Sequence, residues 1–121
     1  MNNKKTLVFA ASTKSDRYSN LAVKRLKNNH FEAIPLGFRA GEIADIPIET
    51  EFKAFEDIHT VTLYINPKRQ EEYYNYILSL SPKRIIFNPG TENPVLKKMA
   101  NEKGIETLEA CTLVLLNLGR Y

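Results

Sequence analysis

Apolar residues run along this chain in short blocks separated by polar bends, and the blocks alternate between two kinds. Thr6-Leu7-Val8-Phe9-Ala10-Ala11 is apolar at consecutive positions, the habit of a strand buried on both faces in a parallel sheet. A polar bend follows, Ser12 to Tyr18. Ser19 then stands as a helix cap, with Leu21, Ala22, Val23 and Leu26 on one side of the helix and Lys24, Arg25 and Lys27 on the other. Asn28-Asn29-His30 ends that helix, and residues 31–36 read as a second strand in which Pro35 is out of place except near an edge. Residues 42–55 hold Ile43, Ile46, Ile48, Phe52 and Phe55 without helical spacing. Because Pro47 would break a long helix, an irregular crossover with at most a very short strand is expected there.

The second half keeps the alternation. Residues 60–65 form a third strand rich in β-branched side chains, and Asn66-Pro67 caps a helix that runs through Gln70, Tyr73, Tyr74, Ile77 and Leu80 and stops before Ser81-Pro82. Residues 83–87 are a fourth strand, opening into the turn Asn88-Pro89-Gly90-Thr91-Glu92-Asn93-Pro94. A helix over 95–103 ends at Gly104, residues 105–108 supply the last strand, and the apolar tail 111–118 makes a short terminal helix. This order predicts an α/β, Rossmann-like three-layer domain, a mostly parallel five-stranded sheet with helices on both faces. Its ligand crevice lies at the carboxyl ends of the strands, where the loops beginning at Ala11, Gly37, Asn66 and Asn88 face one another.

Composition narrows the classes. A chain of 121 residues, 43% hydrophobic and 26% charged, fills one core, so a single domain over 1–121 is expected. No apolar run approaches the roughly 18 residues of a membrane span, and the polar start lacks a signal-peptide pattern. With Cys111 the lone cysteine, a reducing, cytoplasmic setting follows as the expectation. The formal charge of +3 raises a nucleic-acid partner, but the lysines and arginines around 68–72 and 97–103 are interleaved with acids as on solvated helix faces. Neither nucleic acid nor membrane is expected as a partner. Tyr73, Tyr74 and Tyr76 lie at helical spacing beside Ile77 and Leu80, which suits core packing better than base stacking.

Candidate chemistry gathers at two loops. Hydroxyls and Arg17 at a helix N-terminus suit a phosphate site or, equally, an ordinary strand-to-helix connection. The dinucleotide fingerprint G-x-G-x-x-G is absent: Ala10 occupies its first glycine position, and no glycine precedes Gly37. The loop Gly37-Phe38-Arg39-Ala40-Gly41 falls about 20 residues further on, where a strand-helix-strand unit reads the ribose. It offers Arg39 in place of an acid, which favours a phosphorylated ribose or, alternatively, is a solvated loop arginine. His30 has no companions at metal-ligand spacing, Asp57 and His59 have no nucleophile at hand, and Cys111 reads as a core thiol.

Several stretches together resemble the family of small stand-alone CoA-binding proteins, similar in fold to the CoA-binding domain of succinyl-CoA synthetase. They are Ala11-Ser12 with Arg17-Tyr18-Ser19, Ile34-Pro35-Leu36-Gly37, Asp57-Ile58 with Thr60 to Tyr64, Phe87 to Asn93, and Ala110 to Val114. The resemblance implies non-catalytic binding of CoA or an acyl-CoA. It places Ala11, Ser12, Arg17, Tyr18 and Ser19 at phosphate, Gly37 and Arg39 near the nucleotide, and Asn88, Pro89 and Gly90 near the pantetheine arm. The chain departs from the family pattern at Ala10, normally glycine, and at His30. Glycine at position 10 is expected to admit phosphate more closely while costing up to about 1 kcal/mol of backbone order. The alternatives are an NADP(H)-type nucleotide-binding protein or oxidoreductase, and a ligand-free interaction module using the apolar tail in a homodimer.

Overall fold

The computed structural model describes residues 4–121. Strands β1 (Thr6–Phe9), β2 (Ala33–Leu36), β5 (Thr60–Leu63), β6 (Arg84–Phe87) and β7 (Glu106–Glu109) form one sheet in the order β2-β1-β5-β6-β7. Every pairing is parallel, and Thr6, Thr60, Arg84 and Glu106 stand in register at the amino ends. The helices are α1 (Tyr18–Asn28), α2 (Pro67–Gln70), α3 (Tyr74–Ser79), α4 (Pro94–Glu102) and α5 (Thr112–Asn117). This is the Rossmann-like α/β sheet that the alternation of blocks predicts.

The consecutive apolar runs serve two cores. Leu7, Phe9, Val61, Leu63, Ile85 and Phe87 pack on one face with Ile77 and Leu78 of α3 and Leu96 and Ala100 of α4. Val8 and Ile86 pack on the other with Val23 and Leu26 of α1 and Leu116 of α5. Alternate side chains of a strand leave by opposite faces, so the few polar residues of these covered strands, Thr6, Thr60, Thr62 and Arg84, are buried and need partners inside. Tyr73, Tyr74 and Tyr76 are half-buried against the first core, as their spacing indicates.

Three local expectations are corrected. Helix α1 starts at Tyr18 with Arg17 as its N-cap, so Ser19 lies inside the first turn, buried, and caps nothing. The long helix after Pro67 is interrupted by a 3-10 turn, Glu71–Tyr73, which sets Gln70 into the interior and Tyr73 against the rings of Phe9 and Phe52. The crossover after β2 carries a two-residue antiparallel hairpin, β3 (Glu42–Ile43) and β4 (Ile46–Pro47). Ala44 and Asp45 turn it with φ of 51° and 68°, the paired left-handed geometry that matches strand twist in two-residue hairpins.

At the carboxyl ends of the strands the loops are tied by a buried polar network. Asn88, 3% exposed, donates from Nδ2 to Thr62 Oγ1 at 2.6 Å and to the Leu63 carbonyl at 2.9 Å. Its Oδ1 accepts the Thr112 backbone N–H at 2.9 Å, and the Thr62 and Thr112 hydroxyls share a bond of 2.7 Å. Gln70, fully buried, donates to the carbonyls of Ile65 and Thr91 and accepts from Asn93 Nδ2. These side chains fix β5, β6, α2, α4 and α5 against one another. Asn88→Ala would leave the Thr112 N–H without its acceptor and remove both Nδ2 bonds in a dry interior. A loss of about 3 kcal/mol in urea unfolding, at unchanged slope, is expected.

Candidate functional site

The loops after β1, β5 and β6 enclose a cleft of about 310 Å³ at the carboxyl edge of the sheet. Of the residues singled out from the sequence, it gathers Ser12, Arg17, Tyr18, Ser19, Pro89 and Gly90. Tyr64, Asn66 and Thr91 complete the polar wall, and Ala10 reaches it as well. The other four stand elsewhere. Ala11 is buried, Asn88 turns its side chain into the network described above, Gly37 is buried behind Ala11, and Arg39 is exposed on its loop.

The first loop is locked from behind. The N–H groups of Ala10 and Ala11 both donate to the Leu36 carbonyl, at 2.8 and 2.9 Å, drawing the end of β1 onto the end of β2. Gly37 makes this approach possible, since a Cβ there would lie 2.4 Å from the Ala11 carbonyl oxygen. Its glycine therefore serves backbone packing behind the cleft. Asn20 Nδ2, from inside α1, holds the Ser12 carbonyl at 2.9 Å and fixes the loop from the helix side. Ala10 itself has φ of 71°, the left-handed region that alanine enters at a cost and glycine enters freely.

How the helix N-termini are satisfied sets α1 apart. Asn66 Oδ1 accepts from the Arg69 N–H of α2, Asn93 Oδ1 from the Val95 and Leu96 N–H groups of α4, and Asn88 Oδ1 from the first N–H of α5. No side chain caps α1, its first turn holds no acid, and Arg17 and Tyr18 stand exposed beside it. An uncapped N-terminus facing a cleft presents donors and a positive dipole end to whatever enters. Gly90, with φ of 91°, turns the opposite loop, and its N–H is taken by Glu92 Oε1 at 2.8 Å. The arrangement suits an anionic group at α1 and a less polar one toward Pro89 and Gly90.

Tyr64 is the cleft residue that hydrophobic patterning hides, because it reads as one more apolar position of a strand. Its hydroxyl is buried and has no hydrogen-bond partner. It lies near the Thr62 and Thr112 hydroxyls, and burial pushes its ionisation well above the ordinary tyrosine range. An unpaired hydroxyl in such a place is costly unless something else supplies an acceptor. Beyond the cleft, the loop after β2 carries Phe38, 43% exposed, with the Arg69 guanidinium 5.1 Å from its ring centroid. Arg69 is thus a second cation beside Arg39, and nothing in its spacing announces it. Cys111 is half-buried, more open than a core thiol. Among the described residues no group of three His, Cys, Asp or Glu side chains is placed to hold a metal, and no helix is long and apolar enough to cross a membrane.

A family model described as CoA binding domain matches residues 4–117. In structure, the chain is similar to a crystal structure of an uncharacterized protein, 49% identical over 100% of both chains, with a TM-score of 0.96. A hypothetical protein from Pyrococcus horikoshii OT3 is 23% identical over 93% of this chain and 81% of its own, TM-score 0.84. A protein from Thermus thermophilus is 17% identical over 98% and 91%, also at 0.84; these two likenesses bear on the fold alone. Among proteins of curated function no relative of this chain is found.

The left-handed φ of Ala10 reverses the expected effect of glycine there. Freed of the Cβ penalty, Ala10→Gly gains more in the folded state than it loses to unfolded-chain entropy, and a rise of about 0.5–1 kcal/mol in stability is expected by chemical denaturation. A fall would mean that the extra freedom of the unfolded chain dominates. Gly37→Ala should do the opposite, since its Cβ meets a carbonyl oxygen that the sheet holds in place.

Proposed function

The chain belongs to the CoA-binding domain family, and we propose that it binds CoA or an acyl-CoA in the cleft at the carboxyl ends of β1, β5 and β6, without catalysing a reaction. The observation that carries this reading is the uncapped start of α1 beside Arg17, in a molecule where the starts of α2, α5 and α4 are satisfied by Asn66, Asn88 and Asn93. The cleft residues fit the ligand's parts. The Tyr18 and Ser19 N–H groups, the Ser12 hydroxyl and Arg17 hold pyrophosphate oxygens, and Pro89 and Gly90 border the pantetheine arm.

Binding without chemistry is supported by where the reactive groups lie. Asp57 and His59 line a cavity at the amino ends of the strands, opposite the cleft, and no acid or histidine lines the cleft itself among the described residues. The nucleotide end reaches toward the loop after β2, where Phe38 gives an aromatic surface and Arg39 is exposed for the 3′-phosphate.

Thermal-shift measurements with CoA, acetyl-CoA, dephospho-CoA, NADPH and ATP test the reading. A ligand bound to the native state alone adds about 2.7 kcal/mol of stability at a hundredfold excess over Kd. CoA or its acyl ester should give the largest shift, and a response to NADPH with none to CoA would overturn the proposal. Arg17→Ala should weaken CoA by about tenfold or more. For the 3′-phosphate, wild type should prefer CoA to dephospho-CoA by about ten- to a hundredfold, the preference shrinking with added salt. Arg39→Ala should remove most of that preference. If it persists in Arg39→Ala and disappears in Arg69→Ala, the arginine stacked on Phe38 is the reader.

A further inference from the structure

At the amino ends of the strands lies a second cavity, of about 650 Å³, walled by Lys4, Asp57, His59, Ser81 and Lys83. Behind His59 sits Arg84, 6% exposed, a buried guanidinium with no carboxylate partner. Its Nε donates to Thr60 Oγ1 at 2.7 Å, its Cζ lies 4.4 Å from the Tyr121 ring centroid, and one terminal nitrogen is buried without any acceptor. A guanidinium withdrawn from water normally carries its counter-charge with it. Here the charges nearest His59 are Arg84, Lys4 and Lys83, with Glu106 and the exposed Asp57 as the acids nearby. None of the ion pairs among the described residues includes Lys4, Lys83 or Arg84; Lys4 Nζ gives one hydrogen to the Tyr121 backbone oxygen at 2.5 Å and keeps two for a ligand.

The histidine is set up by the same hydroxyl. Thr60 Oγ1 accepts from Arg84 and lies 2.8 Å from His59 Nδ1, so the hydroxyl hydrogen is available to Nδ1. The neutral ring then carries its proton on Nε2 and offers a donor there. Burial, followed by the charges of Arg84, Lys4 and Lys83, lowers the ionisation of His59 below the ordinary histidine value, while Glu106 acts in the opposite sense. Asp57 is the carboxylate in the wall, and it is exposed. Two wall residues that are not glycine also hold left-handed backbone, Asp57 at φ of 58° and Ser81 at 48°. Strained residues persist where the surrounding structure holds them, and such places cluster at binding sites.

We propose that this cavity is a binding site for a small oxyanion of the phosphate class, held by Lys4, Lys83 and the Nε2 donor of His59 with the unpaired charge of Arg84 behind them. The site is separate from the CoA cleft and does not depend on it. Its walls also include Ile58 and Leu80, so a phosphate ester with a small carbon body fits as well as free phosphate.

The two histidines of the chain, His59 and His30, allow a direct test by imidazole NMR on the intact protein. Inorganic phosphate is titrated against chloride at matched ionic strength, with the exposed His30 as internal reference. Phosphate should move the His59 resonances saturably and raise its apparent pKa by about half a pH unit or more, leaving His30 unchanged. Lys83→Gln, at an exposed position, should weaken the response about threefold to tenfold. Arg17→Ala should leave it intact, which separates this site from phosphate entering the cleft. Glycerol 3-phosphate in place of phosphate distinguishes the sources: tighter binding points to an ester, equal binding to the free ion. A His59 signal that stays still, moves together with His30, or responds equally in Lys83→Gln overturns the proposal.

Discussion

The carboxyl edge of the sheet depends on one side-chain amide. Asn88 sits at the end of β6 and bonds across to β5 and up to the start of α5, so three elements distant in sequence share one rigid group. An amide is suited to this because it donates and accepts at once, and the interior leaves no water to replace it. Gln70 and Asn93 extend the arrangement to α2 and α4. The outcome is a cleft whose walls are fixed from behind, the Ser12, Ile65 and Thr91 carbonyls being held by Asn20 and Gln70.

That economy of donors gives the site its chemistry. Helix starts that meet this edge need acceptors, and most find one in an asparagine. Helix α1 does not, and its first turn stays open beside Arg17. A ligand phosphate would satisfy groups that the fold leaves open, so the anion's affinity comes with little rearrangement. Tyr64 differs, because its hydroxyl is buried beside those of Thr62 and Thr112 and faces the network rather than the opening.

The sheet was legible in the sequence because burial on both faces forces consecutive apolar residues, a pattern few other folds require. The cleft was legible in part. Ser12, Arg17, Tyr18, Ser19, Pro89 and Gly90 are polar or turn-forming residues that follow strands, and they meet in space because all the strands end at one edge. Asn88 belongs to the same class, yet whether such a residue faces outward or inward depends on a partner 24 residues away, Thr112, which no local pattern encodes. Tyr64 is hidden for the opposite reason, since an aromatic residue at a strand end looks like core. Ser19 departs from its expected role because helix α1 begins one residue before it, and such a shift at a helix end changes which group is free, while the break at Glu71–Tyr73 follows from the burial of Gln70.

Position 10 shows how sequence and geometry argue differently about one atom. From the sequence, alanine in place of glycine is a methyl group that crowds a phosphate loop. In the structure it is also a residue held at φ of 71°, and what holds it there is the pair of bonds from Ala10 and Ala11 to the Leu36 carbonyl. Relaxing φ to ordinary values would break at least one of them and draw the loop away from β2. Gly37 permits that pairing from the other side, so the strain at Ala10 and the missing side chain at Gly37 are two halves of one close approach. The loop that presents Ser12 and Arg17 therefore owes its place to backbone bonds, and the methyl of Ala10 changes how much room a ligand has without changing where the loop runs.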